Sequence, residues 1–308
     1  MKLLLCAAIT LVAANAAAQS AAPRTSPPSP APGVASCPEL AQALDAVVRN
    51  DSRLRDWAQL GRYRDANREL PPPVATESRV VFMGDSITDN WQQPRFAGFF
   101  PGKPYVDRGI SGQTTPQMLV RFRPDVIDLK PKVVVILAGT NDIAGNTGPM
   151  TNEEIEANLA SMSELAHAHG IRVVLSSVTP VSAYHHRPDD AATPQSTRRP
   201  VARIRALNDW MKAYAASHGD VYLDYYSSMV DADGALKEDL SADDLHPNGQ
   251  GYAIMAPLAE ARVDLVAGRG ILATHRSGGS HEICRFLQRD CGASVDRERS
   301  RPGAEPRI

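Results

Sequence analysis

The sequence contains few cysteines and no strong excess of charge of either sign. Four cysteines among 308 residues are too few for a disulfide-stapled fold, and without a CxxC pair we expect neither a zinc ribbon nor a thioredoxin-like centre. Lysine and arginine total 33 and aspartate and glutamate total 35, so the charge gives no electrostatic footprint for nucleic acid. A GxGxxG motif after a strand and a P-loop lysine are also missing, which argues against a nucleotide binder.

Long apolar runs are equally scarce. Beyond the N-terminus, no run of about 18 apolar residues predicts a membrane span. The composition, with 43% hydrophobic and 22% charged residues, is that of an ordinary soluble globular protein. The length allows one large domain or two small ones.

Residues 1–18 have the features of a secretory signal peptide. Lys2 supplies the positive charge, Leu3 to Ala14 form an apolar segment too short to remain in a membrane, and small residues at 14–18 offer cleavage sites. The alternative is a short buried helix. The signal peptide predicts a secreted or periplasmic mature protein, in which an odd number of cysteines leaves one unpaired. The cysteines that remain after cleavage are Cys37, Cys284 and Cys291.

The rest of the chain divides by composition into four parts. Residues 19–36 are rich in proline, alanine and serine and predict an extended linker. Residues 37–77 carry apolar side chains at helical spacing and predict a helical extension that packs on the main domain. Residues 78–267 form that main domain, and residues 268–308 lack any sustained period and predict a disordered tail.

Within the main domain, apolar strands alternate with amphipathic helices. The strands are continuous apolar runs, which is typical of a parallel sheet covered on both faces. One helix begins at the capping box of Thr151 and Glu154 and ends at Gly170, and a second ends at Gly219. The pattern predicts a doubly wound α/β fold, in which ligands bind beyond the carboxyl ends of the strands. The predicted strands are Arg79–Met83, Pro104–Val106, Lys132–Ala138, Ile171–Val178 and Val221–Tyr225.

Four polar segments lie where such a site is expected. In the first, Ser86 opens a helix with an exposed hydroxyl, and the helix N-terminus favours developing negative charge. The alternative is that Ser86 only caps the helix. The GxSxG elbow of α/β-hydrolases is absent, because Thr88 occupies the position of its last glycine. The four segments are Gly84–Thr88, Arg108–Thr114, Gly139–Asp142 and Ser241–Asn248.

The second and third segments offer hydrogen-bond donors. Two glycines in the second let the backbone approach a ligand, so that Gly112 can present its N–H. In the third, Asn141 has a neutral amide that can stabilise an oxyanion, whereas Asp142 is expected to cap the next turn. For both segments an ordinary turn is the alternative.

The fourth segment places Asp243 three residues before His246. This spacing can bring the carboxylate beside the imidazole, where it fixes the tautomer and stabilises the imidazolium. The alternative is a surface histidine near a helix start. Residues two apart do not share a face in helical geometry, so Asp244 is expected to be solvated or to cap the last helix.

In this order, the motifs GDSIT, GISG, GTND and DDLHPN resemble the four sequence blocks of the SGNH hydrolases, also called GDSL esterases and lipases. The resemblance covers residues 78–266 and identifies residues 78–267 as an SGNH hydrolase catalytic domain. GDSITDNW is similar to the platelet-activating-factor-acetylhydrolase-like branch. The family implies a flavodoxin-like three-layer α/β/α sandwich with a five-stranded parallel sheet, and it implies no metal or organic cofactor. One departure is Arg108, since the family often has asparagine before Gly109.

The resemblance also implies the roles of single residues. Ser86 is the expected nucleophile, His246 the general base and Asp243 its partner. The backbone amides of Ser86 and Gly112 and the side-chain amide of Asn141 are the expected oxyanion hole. The long loop Ser182–Pro200 follows the fourth strand, so it is expected to border the substrate pocket, with a solvated excursion as the alternative.

The expected function is therefore that of an exported serine esterase that hydrolyses carboxylic esters through an acyl-enzyme on Ser86. The preferred substrate is a short-acyl ester, such as an acetyl ester, of a carbohydrate. The alternatives are a lysophospholipase or thioesterase, and a non-catalytic carbohydrate-binding protein on the same fold. We expect no nucleic-acid partner and no stable membrane insertion after signal cleavage, while acyl length and oligomeric state stay open.

Overall fold

A computed structural model describes residues 54–96 and 98–268, together with six helical positions between 38 and 47. The predicted signal peptide, the linker and the tail beyond residue 268 lie outside the described residues, as do Cys37, Cys284 and Cys291. Among the described residues, no helix combines the length and the apolar character that crossing a membrane requires.

Five parallel strands form one sheet, as the sequence predicts. Their order across the sheet is β2-β1-β3-β4-β5. The second strand extends past the predicted end at Val106, because its pairing with β1 continues to Gly84 opposite Gly109. The fifth is shorter than predicted, because its pairing with β4 ends at Leu223. The strands are β1 (Val80–Gly84), β2 (Tyr105–Gly109), β3 (Val133–Leu137), β4 (Arg172–Ser176) and β5 (Val221–Leu223).

Helices cover both faces of the sheet. The α-helices are α1 (Arg64–Glu69), α2 (Ser86–Trp91), α3 (Thr115–Asp125), α4 (Thr140–Ile143), α5 (Asn152–Ala168), α6 (Gln195–Arg198), α7 (Val201–His218), α8 (Tyr226–Met229) and α9 (Gly249–Ala267). One apolar cluster lies between the sheet and α3, α5 and α7, and the other lies between the sheet and α2 and α9. This is the predicted three-layer α/β/α sandwich.

Strand β1 shows why the layers form. Val81 and Met83 belong to the first cluster, whereas Val80 and Phe82 belong to the second. Successive side chains point to opposite faces, so a strand covered on both sides must be apolar throughout. Burial of these side chains removes apolar surface from water, which is the main force that holds the layers together.

Local signals set the helix starts. The predicted capping box of Thr151 and Glu154 is present, with both reciprocal hydrogen bonds. A second capping box, formed by Thr114 and Gln117, begins α3 and was not predicted. Gly219 ends α7 in the left-handed region, as predicted.

The described part of the N-terminal extension packs on the end of β2. The Tyr63 hydroxyl donates a hydrogen bond to the Gly109 carbonyl. Asn67 on α1 links two elements, because it donates to Asp125 at 2.7 Å and accepts from Arg108 at 2.8 Å. Arg108, which stands where the family often has asparagine, therefore binds the N-terminal extension.

Candidate active site

The four polar segments converge at one edge of the sheet. The strand order reverses at β1, which has β2 on one side and β3 on the other. In doubly wound folds, ligands bind at this switch point, beyond the carboxyl ends of the strands. The segments after β1, β2 and β3 all start there, and the fourth reaches it from the loop before α9.

Ser86 is the first residue of α2. The helix cap is Asp85, whose carboxylate accepts a hydrogen bond from the Ile87 amide at 2.9 Å. Burial of Asp85 raises its pKa to about 6. The alternative that Ser86 only caps the helix is therefore wrong, since Asp85 has that role. Ser86 is left with a free hydroxyl for another partner.

That partner is His246. The Ser86 hydroxyl donates to the His246 Nε2 atom at 2.9 Å. On the other side of the ring, Nδ1–H donates to the Asp243 carboxylate at 2.6 Å. The sequence separates Ser86 from the other two by about 160 residues, and the fold aligns the three in one chain of hydrogen bonds. His246 does lie near a helix start, three residues before α9, but both of its ring nitrogens are hydrogen-bonded, so it is more than a surface histidine.

Asp243 is fixed by its own turn. Its second carboxylate oxygen accepts from the amide of His246 at 2.8 Å and from that of Leu245 at 3.2 Å. Partial burial raises the pKa of Asp243, but the hydrogen bonds from the His246 ring and these two amides outweigh it and hold the pKa well below its usual range. The carboxylate is thus charged and aimed at the imidazole.

Asp244 is neither solvated nor the helix cap, so that expectation is wrong. Its backbone is left-handed, with φ 66°, and the residue is buried. The buried carboxylate accepts from the Ser182 hydroxyl at 2.6 Å and from the amides of Tyr184 and His185 at 3.0 Å. The cap of α9 is Asn248, which accepts from two helix amides.

The expected oxyanion donors lie on adjacent loops. The Ser86 amide is the first of its helix and has no acceptor within that helix. Asn141 donates from Nδ2 to the Gln113 carbonyl at 3.0 Å, which places this side chain against the turn that contains Gly112. Gly112 adopts φ +81°, a conformation that favours glycine. The side-chain NH2 group of Asn141 has two hydrogens, and the bond to Gln113 uses one, so the other stays available for a ligand.

Two hydrogen bonds hold the second segment against the end of β1 and against α2. The Ile110 amide donates to the Gly84 carbonyl at 3.0 Å. The Ser111 hydroxyl donates to Asp89 on α2 at 2.6 Å. A Cβ atom on Gly109 would lie 2.2 Å from the Asp89 backbone nitrogen, so only glycine allows β2 to approach the helix that carries Ser86.

Sequence reasoning missed Arg199. This buried guanidinium donates to the Thr140 carbonyl at 3.0 Å and to the Asn141 Oδ1 atom at 3.3 Å. Burial lowers the pKa of Arg199 to about 10, which still leaves it charged at neutral pH. Arg199 is one of several cationic residues in a long loop. Nothing in the sequence indicates that it, rather than another of them, contacts Asn141, which lies 58 positions earlier in the chain.

Asp142 does not cap the next turn as expected. It lies within α4 and is buried. Its carboxylate accepts from the amide of Thr115 at 2.8 Å and from the hydroxyl of the same residue. Asp142 therefore joins the third segment to the start of α3, so the donor loops form one hydrogen-bonded unit.

An open cleft borders Gly112, one of the expected oxyanion donors. Its volume is about 980 Å³, and Ser111 and Gly112 form part of its wall. Asn146 donates to the Gly112 carbonyl at 3.1 Å and accepts from Arg198 at 3.1 Å. Trp57 and Arg198 also line the cleft, so the loop Ser182–Pro200 reaches it at its C-terminal end. Whether that loop acts on substrates stays a prediction.

The histidines of that loop bind carboxylates. His185 lies 3.1 Å from Asp244, and His186 lies 3.8 Å from Asp190. Within the part of the chain that the structure describes, no three His, Cys, Asp or Glu side chains are grouped in a way that could hold a metal ion.

Comparisons with known proteins place this arrangement in a family. Residues 82–254 match the model of the GDSL-like Lipase/Acylhydrolase family. A solved structure of a GDSL-like lipase from Bacteroides thetaiotaomicron is 42% identical, and the alignment covers 68% of this chain and 98% of that one with a TM-score of 0.60.

Two curated relatives are less similar to this chain or match a shorter part of it. Platelet-activating factor acetylhydrolase IB subunit alpha2 from Homo sapiens is 27% identical over 62% of this chain and 78% of its own length. The uncharacterized lipoprotein YqeF of Bacillus subtilis is 36% identical over 87 residues, which are 26% of this chain and 36% of that protein. The chain thus spans about a third of the length of YqeF. The family match, in contrast, includes all four polar segments.

Proposed function

The chain belongs to the GDSL-like lipase/acylhydrolase family, within the SGNH hydrolases, and is an ester hydrolase; from this premise we propose that it is a serine esterase that works through an acyl-enzyme on Ser86. The observation that carries the proposal is the chain of hydrogen bonds from Ser86 through His246 to Asp243. A nucleophile, a base and a group that orients the base form the minimum set for this chemistry.

In the acylation step, the Ser86 oxygen attacks the ester carbonyl carbon while His246 Nε2 takes the hydroxyl proton. The imidazolium that forms is stabilised by the charged Asp243, which also keeps the other ring proton on Nδ1. The carbonyl oxygen becomes an oxyanion, and the donors for it are the amides of Ser86 and Gly112 and the side chain of Asn141. Such donors act because they are already oriented toward the developing charge.

The tetrahedral intermediate then collapses. The bond to the leaving oxygen breaks, and His246 returns its proton to that oxygen, so the alcohol departs neutral. A water molecule attacks the acyl-enzyme, with His246 again as the base, and the acid and free Ser86 are released. Partial exposure of the His246 ring, 31% of the side chain, leaves room for this water.

We infer that the substrates are short-acyl esters of a polar alcohol, such as acetyl esters of carbohydrates. The name of the related acetylhydrolase supports a short acyl group. Polar side chains such as Asn146 and Arg198 around the cleft support a hydroxyl-rich alcohol. A lysophospholipase would need an apolar channel for a long acyl chain. Relative rates on thioesters and oxygen esters, measured in the substrate panel below, distinguish a thioesterase from an esterase.

Export to the periplasm or the medium is a further part of the proposal, and it rests on the sequence of residues 1–18 alone. A secreted esterase would meet polymeric or envelope carbohydrates rather than cytoplasmic metabolites. Fractionation of cells that express the full chain tests this point. Retention of the uncleaved chain in the cytoplasm would contradict it.

The catalytic proposal is tested with an ester panel of increasing acyl length, including thioesters and a lysophospholipid, on the wild type, Ser86→Ala and His246→Ala. Each variant is expected to lose about 10⁴-fold or more in kcat, and the double variant to be little worse, because the residues act as one unit. A fluorophosphonate is expected to label the wild type but not Ser86→Ala. Substantial turnover by folded Ser86→Ala would overturn the serine mechanism, and an unlabelled, inactive wild type would favour the carbohydrate-binding alternative.

A further inference from the structure

One wall of the cleft comes from the N-terminal extension rather than from the sheet. The Gln113 side chain donates to the Ala58 carbonyl at 2.9 Å, and the Gln117 side chain donates to the Trp57 carbonyl at 2.7 Å. Gln113 follows Gly112 directly, and Gln117 lies in the first turn of α3, five residues after Gly112. The backbone at Trp57 is therefore tied to the loop that carries an expected oxyanion donor.

The turn that presents Trp57 is fixed from within as well. The Asp56 carboxylate accepts from the amides of Leu60 at 2.7 Å and Gly61 at 2.8 Å. A rigid turn holds a side chain in one position, which lowers the entropy cost of binding a ligand there. Trp57 thus stands at a defined place on the cleft wall.

The exposure of Trp57 has no evident folding benefit. The side chain is 43% exposed, and it belongs to neither apolar cluster of the described residues. Full burial of such a large ring would stabilise the fold, so leaving it half in water gives up part of that contribution. A large aromatic face open to a cleft is instead typical of ligand sites.

The size of the cleft indicates which part of the ester it receives. A volume of about 980 Å³ is far larger than an acetyl group needs and suits a drug-sized ligand. Arg198 and Asn146 also line the cleft and provide hydrogen-bonding groups. An occupant that offers an apolar face to an indole and hydroxyl groups to polar side chains is a sugar ring.

We propose that Trp57 is a specificity residue on which a sugar ring of the ester's alcohol part stacks, next to Arg198 and Asn146. This inference rests on the proposed function, because it requires a carbohydrate ester as the substrate. The N-terminal extension then contributes to substrate choice while the sheet edge contributes the chemistry.

The test compares two acetyl esters, a partially acetylated oligosaccharide and 4-nitrophenyl acetate. Trp57→Ala is expected to raise KM for the oligosaccharide about tenfold, while the kinetics on 4-nitrophenyl acetate change less than about twofold. Trp57→Phe keeps an aromatic face and is expected to restore most of the loss. Leu60→Ala is the matched control, since Leu60 is in the same turn and 39% exposed but lines a separate cavity.

The outcomes separate the two proposals. A wild type that hydrolyses 4-nitrophenyl acetate but not the oligosaccharide would overturn the carbohydrate substrate and this inference with it. A wild type that prefers the oligosaccharide, with Trp57→Ala unchanged in KM, would overturn this inference alone. Equal losses on both esters, accompanied by a lower Tm, would assign Trp57 a structural role and also overturn it.

Discussion

At the scale of single residues, the two adjacent aspartates before His246 have different roles. Asp243 accepts a hydrogen bond from the His246 ring, whereas Asp244 accepts hydrogen bonds from the Ser182 hydroxyl and the backbone of the next loop. The two environments differ: Asp244 has a left-handed backbone, φ 66°, and is buried, whereas the Asp243 side chain is half exposed. The two positions therefore form a matched pair for mutagenesis.

We predict that Asp243→Asn lowers kcat at least about tenfold with little change in stability, because the imidazolium loses its counter-charge. Asp244→Asn is expected to change kcat less than about threefold but to reduce the free energy of unfolding by about 1 to 3 kcal/mol, because buried hydrogen bonds to a charged acceptor are weakened. Steady-state kinetics and denaturant unfolding on both purified variants check this. The reverse ranking in kcat would contradict the assignment of Asp243.

Asn141 and Arg199 are expected to act as one unit. Arg199 contacts the Asn141 side-chain oxygen, and so orients the amide nitrogen that is the proposed oxyanion donor. We predict that Asn141→Ala lowers kcat about 10²- to 10³-fold with KM nearly unchanged, since the donor meets only the transition state. Arg199→Lys keeps the charge but loses the planar fork, and it is expected to lower kcat by a smaller factor.

A double-mutant cycle distinguishes positioning from a general loss of structure. In the Asn141→Ala background, Arg199→Lys is expected to have almost no further effect on kcat, because the amide that it orients is already gone. Fully additive losses in kcat, or a large rise in KM for Asn141→Ala, would contradict this interpretation.

At the scale of elements, the approach of β2 to α2 depends on one glycine. A Cβ atom on Gly109 would meet the Asp89 backbone at 2.2 Å, and backbone cannot rotate away as a side chain can. We predict that Gly109→Ala reduces the free energy of unfolding by about 2 kcal/mol or more and also lowers kcat, because α2 carries Ser86. Gly249→Ala is the control, since its nearest neighbour is 4.0 Å away.

The outcome for each glycine variant is measured by denaturant unfolding and by kcat on one short ester. Gly249 lies in a helix, so alanine there is expected to be neutral or slightly stabilising. Unchanged stability of Gly109→Ala would mean that α2 can move away from β2 at no cost.

The sequence predicted the elements whose signals are local. Buried parallel strands produce apolar runs, and capping boxes and glycine stops mark helix ends, so the sheet and the long helices could be predicted. The ends of β2 and β5 could not, because pairing with a neighbouring strand sets them. Four motifs in family order predicted Ser86, His246 and Asp243 as a group, and the fold brings them together.

Interactions between residues far apart in the sequence could not be predicted from the sequence. Asp244 and Arg199 each bind residues about 60 positions away, and the sequence around them marks neither as special. The position of Trp57 depends on two glutamine side chains that reach it from α3 and the loop before it. Such contacts follow from the packed fold and leave no local pattern.

At the scale of the whole molecule, the sheet edge carries several buried carboxylates. Asp107 is the central residue of β2 and is only 5% exposed, and it accepts a hydrogen bond from the Gly109 amide at 2.7 Å. Burial, with a further contribution from the negative charge of Asp89, raises the pKa of Asp107 to about 7. The folded state therefore holds this proton at pH values where the unfolded chain has released it.

This carboxylate predicts how stability depends on pH. Because the folded pKa is above the unfolded value of about 4, the contribution of Asp107 is complete below about pH 4 and is lost as pH rises through about 7. Asp107→Asn keeps an oxygen that can accept from the Gly109 amide but has no charge. We predict that the free energy of unfolding of this variant, relative to the wild type, rises between pH 4 and pH 8 and is constant above that range. Asp128→Asn, at an exposed position, is the control, and a difference that stays flat from pH 4 to pH 8 in denaturant unfolding would show that Asp107 is ionised in the folded protein throughout.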